Sequence, residues 1–210
     1  MQRRRFIKAT TGLLAISLLM LTLFFTACGS QNPEWADVEP DHRIYNYLVD
    51  AVRFGIIDRP NADNPYFRPD EFITGADFIT MLGRMHEHIN SRIPDDGSGD
   101  DRYLAWAVDI GIINSSELDR LEPNEPFMRE QMAVIVYQYI TAFDLWDCVR
   151  SGYSVLATPY QDVTGSAAGP IEKLRVWVLT PIPGFWYFRP KDDTARSDVI
   201  VVITRIAQRL

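Results

Sequence analysis

Cysteine and histidine are scarce: two and three residues respectively in a chain of 210. Cys28 and Cys148 cannot make a disulfide framework. His86 and His88 stand two apart, a spacing whose side chains do not face one another on a helix, and His42 is remote, so the histidines read as solvated rather than as a metal set. The acidic run Asp95 to Asp101 lacks the stations and closing glutamate of an EF-hand loop and reads as a linker. Also missing are G-x-S-x-G, a glycine-rich phosphate loop and H-E-x-x-H. Without a nucleophile, base or metal constellation, the expectation is a non-catalytic protein with no cofactor and no metal. Positive charge is short as well. Residues 1–27 hold four of the 21 Lys and Arg and none of the 28 Asp and Glu, so the remainder carries 17 against 28, a formal charge of −11. An acidic body lacks the basic stripe that supplies affinity for nucleic acid, so no nucleic-acid partner is expected.

One long apolar run is present, and it lies at the start. Met1 to Lys8 is basic, Gly12 to Phe25 is apolar, and Thr26-Ala27-Cys28 follows. This is the plan of an export signal. Cys28 stands where a lipoprotein signal carries the cysteine that is lipidated, and Arg3 to Lys8 also resembles a twin-arginine motif. An uncleaved anchor is the alternative, since Ala9 to Cys28 matches the roughly 20 residues a bilayer needs. Either reading places the rest outside the cytoplasm, held to the membrane by an N-terminal lipid or anchor. With Cys28 lipidated, Cys148 is alone and is expected to be a small, half-buried apolar residue.

The remainder repeats one plan: a short amphipathic helix, a Gly-Ile-Ile turn, a loop, an aromatic-x-Pro step and a longer amphipathic helix. Phe67-Arg68-Pro69, Leu121-Glu122-Pro123 and Phe188-Arg189-Pro190 occupy the same station, with prolines 54 and then 67 residues apart. Helical stripes run through Ile44, Leu48, Ala51 and Val52, through Phe78, Leu82, Met85 and Ile89, through Met132, Ile135, Val136, Tyr139 and Ile140, and through Val199, Ile203, Ile206 and Leu210. Thr74 and Asp77 have capping-box spacing. Gly55 and Gly111 follow a stripe, where a left-handed residue ends a helix, and Pro181 stands at the third such place. A two-helix unit cannot cover its own apolar faces, so the units must pack on one another in a single mostly helical domain. The boundaries read as signal or anchor 1–28, tether 29–36, repeats 37–92, 100–143 and 160–210, and a connector 144–159.

Trp35-Ala36-Asp37-Val38 and Tyr160-Gln161-Asp162-Val163 open the first and third repeats, Ala105-Trp106-Ala107 carries a tryptophan in the second, and Trp177 is its counterpart in the third. The long helices open on Thr74-Gly75-Ala76-Asp77, Met128-Arg129-Glu130-Gln131 and Ala195-Arg196-Ser197-Asp198. Together these resemble the S-layer homology family, whose repeats open with aromatic-x-Asp-Val and carry Phe-x-Pro and Thr-Arg-Ala-Glu. The resemblance spans Trp35 to Leu210. It implies a pseudo-threefold bundle with grooves between repeats that bind secondary cell-wall polysaccharide, often bearing pyruvate ketals. Arg129 and Arg196 would then offer guanidinium forks to a carboxylate, Trp106 and Trp177 sugar platforms, and Asp37 and Asp162 groove walls. Gly75 in place of arginine implies a degenerate first site. Each residue also has a plainer reading. The arginines read equally as exposed first-turn residues paired with Glu125 or Asp192, the tryptophans as core, and the aspartates as turn residues binding backbone N–H groups. A different function on the same fold is docking of another envelope protein, suggested by Gly75, the altered third turn and an exposed patch Phe185 to Phe188.

Overall fold

Stripes of apolar residues at helical spacing become seven helices among the described residues: α1 Tyr45–Arg53, α2 Gly75–Ile89, α3 Asp101–Asp109, α4 Arg129–Ala142, α5 Trp146–Arg150, α6 Ala168–Leu174 and α7 Arg196–Ala207. The structure is a computed structural model that describes residues 32–90, 92–94, 98–114, 127–150, 160–175, 179 and 187–210. Those from Pro33 onward form one compact unit. The protein is mostly helical, with isolated bridges and no sheet among these residues. None of the described helices is long and apolar enough to cross a membrane. Cys28, Trp177, Pro181 and the Leu121-Glu122-Pro123 step lie outside the described residues.

The stripes face inward as expected. Ile44, Leu48 and Ala51 are fully buried, as are Phe78, Leu82 and Met85, Met132, Val136 and Tyr139, and Val199, Ile203 and Ile206. Leu210 departs from its stripe: it lies beyond the end of α7 and is exposed. The turn glycines act as predicted. Gly55 and Gly111 have φ of 66° and 75°, and in both turns the residue after the glycine donates back to the helix. Ile56 N–H reaches Ala51 C=O at 2.8 Å and Ile112 N–H reaches Ala107 C=O at 2.9 Å, which satisfies carbonyls left open at the helix ends. Ile56 and Ile112 then enter the core.

Four helix pairs make the principal contacts among the described residues. α2 packs on α3, α4 on α6 and α7 on α1, while α2 also meets α7. The close approach of α2 to α3 depends on Gly83, where a Cβ would stand 2.3 Å from a ring carbon of Tyr103. At the heads of the long helices three backbone hydrogen bonds close a ring. Ile73 N–H donates to Thr194 C=O at 3.0 Å, Thr194 N–H to Phe127 C=O at 2.7 Å, and Phe127 N–H to Ile73 C=O at 3.2 Å. These three residues each stand two positions before the first residue of α2, α4 and α7, and all are buried.

The open N–H groups at the start of α4 and α7 are met by the proline steps of other segments. Arg129 and Glu130 donate to Asp192 and Pro190 C=O at 3.0 Å each, and Arg196 and Ser197 donate to Glu71 and Pro69 C=O at 2.9 and 3.0 Å. The proline steps are themselves fixed by aspartate, and both carry an arginine in the left-handed region, Arg68 at φ 60° and Arg189 at φ 61°.

Some expectations fail. His86 is buried, not solvated, because α3 and α4 cover it with Trp106, Tyr139 and Phe143; its neighbour His88 is exposed. Cys148 is exposed, since it lies on the short α5. Of the predicted patch Phe185 to Phe188, Phe185 and Trp186 lie outside the described residues; Tyr187 is exposed, but Phe188 is buried under Arg129.

Candidate functional site

Arg129 and Arg196 are the first residues of α4 and α7, and their side chains leave the helices in the same way. Arg129 Nε donates to Phe188 C=O at 2.8 Å with its guanidinium 4.9 Å from the Phe188 ring. Arg196 Nε donates to Phe67 C=O at 2.9 Å with its guanidinium 5.0 Å from the Phe67 ring. Each arginine therefore reaches the aromatic of another segment's Phe-Arg-Pro step. Cation–π contact and a carbonyl acceptor hold one edge of the fork.

The other edge differs between the two. Arg129 Nη1 meets Asp198 Oδ2 at 2.5 Å, with both side chains largely buried, 7% and 13% exposed. Burial draws the Arg129 pKa down, and Asp198 opposes the shift. Of the two carboxylates foreseen as arginine partners, Glu125 lies outside the described residues and Asp192 pairs with Arg189. Asp77 occupies on α2 the place that Asp198 occupies on α7, two residues into each helix. Its carboxylate is engaged locally: Thr74 Oγ1 donates to Asp77 Oδ2 at 2.9 Å and accepts from Asp77 N–H at 3.1 Å. Ala195, at the cap of α7, has no hydroxyl with which to retain Asp198. So one aspartate is drawn onto an arginine and the other is kept at its own cap. Arg196 is left half-buried, with Asp77 near enough to favour its charge and no hydrogen bond or ion pair to its terminal nitrogens among the described residues. Its pKa too is drawn down by burial.

Arg196 lines a groove of about 280 Å³ together with Trp35, Tyr66, Asp77, Arg84 and Asp100. Arg84 is already paired, 3.3 Å from Asp58 and 3.4 Å from Asp100. Burial works against its charge, but these two carboxylates outweigh it and its pKa is raised. Trp35 is buried, with its ring meeting Tyr45 edge to face. Arg59 also lines the groove; Arg196 differs from Arg84 in having no ion pair among the described residues. No family model matches the sequence, and no curated protein matches it.

The remaining predicted residues fall elsewhere. Asp37 and Asp162 hold the backbone: Phe67 and Arg68 N–H donate to the two Asp37 oxygens at 2.9 and 2.6 Å, and Phe188 and Arg189 N–H donate to those of Asp162 at 2.8 and 2.7 Å. Their plainer reading as turn residues describes this geometry, and each supports the step on which an arginine rests. Trp106 packs against His86 and Phe143, with ring centres 5.0 and 6.5 Å away, and is not among the residues lining the Arg196 groove. Sequence reasoning passed over Tyr66 and Arg84. A signal for Tyr66 was present, because Tyr-Phe-Arg-Pro recurs at 66–69 and 187–190.

Proposed function

We propose that this chain is a non-catalytic envelope protein of S-layer homology type. On this reading three pseudo-equivalent repeats close into a bundle and bind an anionic secondary cell-wall polysaccharide through the groove at Arg196. The observation that carries the reading is the contrast between the two arginines. Arg129 is neutralised by a buried carboxylate, whereas Arg196 presents an unfilled planar fork in a cleft beside helix-terminal backbone. A carboxylate on a sugar, such as a pyruvate ketal, matches that fork. The closed ring of hydrogen bonds at the heads of α2, α4 and α7 supports a threefold plan, in which the seam at Gly75 has no arginine. Membrane attachment through Cys28 or an uncleaved anchor would then join membrane to wall.

Co-sedimentation with purified cell wall, before and after acidic ketals are stripped from its polymer, tests the reading. The chain is expected to pellet with native wall and to remain in solution with stripped wall. Equal pelleting with both would remove it.

Phe72 and Met128, 60% and 38% exposed, favour a second reading in which the same fold docks another envelope protein. A pull-down from envelope extract freed of wall polymer, compared between the wild-type chain and a Phe72→Ser, Met128→Ser variant, distinguishes it. Retention of one partner by the wild type alone supports docking, and no retained partner refutes it.

A further inference from the structure

The groove at Arg196 contains one exposed aromatic ring, Tyr66, half of whose surface is open. Its position follows from chain geometry. In an extended segment successive side chains point to opposite faces. Phe67, 2% exposed, turns inward beneath Arg196, and Tyr66 turns outward. The segment is pinned on both sides of the tyrosine: Ala36 N–H donates to Pro65 C=O at 2.8 Å, and the N–H groups of Phe67 and Arg68 are held by Asp37. Tyr66 is therefore fixed one residue from the carbonyl that accepts Arg196 Nε. Trp35 and Phe67, the other large aromatics of the groove, are buried and cannot offer a face.

Resting on the glycan reading above, we propose that Tyr66 is the sugar platform of this groove, which takes an acidic pyranose with its carboxylate on Arg196 and its apolar ring face on the tyrosine. The two contacts match the two halves of such a ligand. An exposed aromatic held in place by backbone hydrogen bonds loses little freedom on binding, so its contact area converts efficiently into affinity. The molecule carries its own control. Tyr187 precedes Phe188 as Tyr66 precedes Phe67 and is equally exposed, at 53% against 50%. The arginine over Phe188, however, is Arg129, which Asp198 already occupies. An exposed tyrosine without an available guanidinium does not make the site.

The test is calorimetric titration of the full chain in detergent with a pyruvylated N-acetylhexosamine disaccharide. Circular dichroism checks that each variant is folded. Tyr66→Ala is expected to weaken binding by about tenfold, the scale of one aromatic contact, while Tyr66→Phe stays within about twofold. Tyr187→Ala should bind as the wild type does. If the wild type binds and Tyr66→Ala binds equally well, or if Tyr187→Ala weakens binding as much, the platform assignment is overturned while the glycan reading stands. A Tyr66→Phe loss as large as that of Tyr66→Ala would overturn it too, by showing that the hydroxyl rather than the ring matters. If the wild type does not bind the disaccharide at all, the glycan reading and the platform assignment both fall.

Discussion

Arg129 and Arg196 show how two residues of one type at one station come to differ through a third. Asp198 lies 2.5 Å from Arg129 because its cap residue, Ala195, cannot hold it, while Thr74 keeps Asp77 at home. Removing one member of a buried pair strands the other's charge, so Arg129→Ala is expected to cost about 3–5 kcal/mol of stability. Arg196→Ala removes a half-buried side chain without a salt bridge and is expected to cost about 1 kcal/mol or less. Denaturant unfolding of the two variants measures the contrast, and equal losses would contradict the division of roles. Thr194 offers a second case. Its hydroxyl is fully buried with no hydrogen-bond partner among the described residues, at a station where the other segments have Ile73 and Phe127. An unmet buried hydroxyl costs about 1–3 kcal/mol, so Thr194→Val should raise the melting temperature by a few degrees in thermal unfolding. The arginines were legible as a pair in the sequence. Which of them is spent was not, because Asp198 is 69 residues from Arg129 and its choice of partner depends on packing.

At the scale of elements, apolar spacing located the helices well, because each stripe had to be covered and each turn glycine takes a backbone conformation costly to other residues. Burial of single polar residues was less legible. His86 follows Met85 on α2 and looked like part of a solvated end, yet α3 and α4 close over it. Its Nδ1 lies 3.2 Å from both Tyr139 Oη and Asn90 Nδ2, and burial lowers its pKa from the ordinary 6.5, with Glu87 weakly opposing. Tyr139 stays neutral, because burial raises its own pKa. The unfolded chain therefore takes up a proton at a higher pH than the native one does. Stability is retained above pH 6.5 and falls as the pH drops below that value toward the depressed native pKa. Melting temperatures taken from pH 7 to pH 5 are expected to decline more steeply for the wild type than for His86→Gln, which keeps a polar group beside Tyr139 without the titration. Parallel declines would show that His86 does not couple α2 to α3 and α4 in this way.

For the whole molecule, the repeat plan predicted a mostly helical body, which the structure has; α7 packs on α1 and α2, and a ring of backbone hydrogen bonds joins the heads of α2, α4 and α7. Gly75 already marked one seam as different in the sequence; the difference between the other two was not legible there. At one seam Gly75 stands in place of arginine, at another Arg129 is closed by Asp198, and at the third Arg196 is open. Of the two arginines described at the helix heads, Arg196 alone lacks a carboxylate partner among the described residues, which fixes an expectation of how many ligands are held. The stoichiometry of the full chain with a short, purified acidic wall-polymer fragment, measured by titration to saturation, tests this most directly. The account predicts one fragment per chain, bound through a site that Arg196→Ala eliminates. Two or more equivalent fragments per chain, or saturable binding that survives Arg196→Ala, would contradict it.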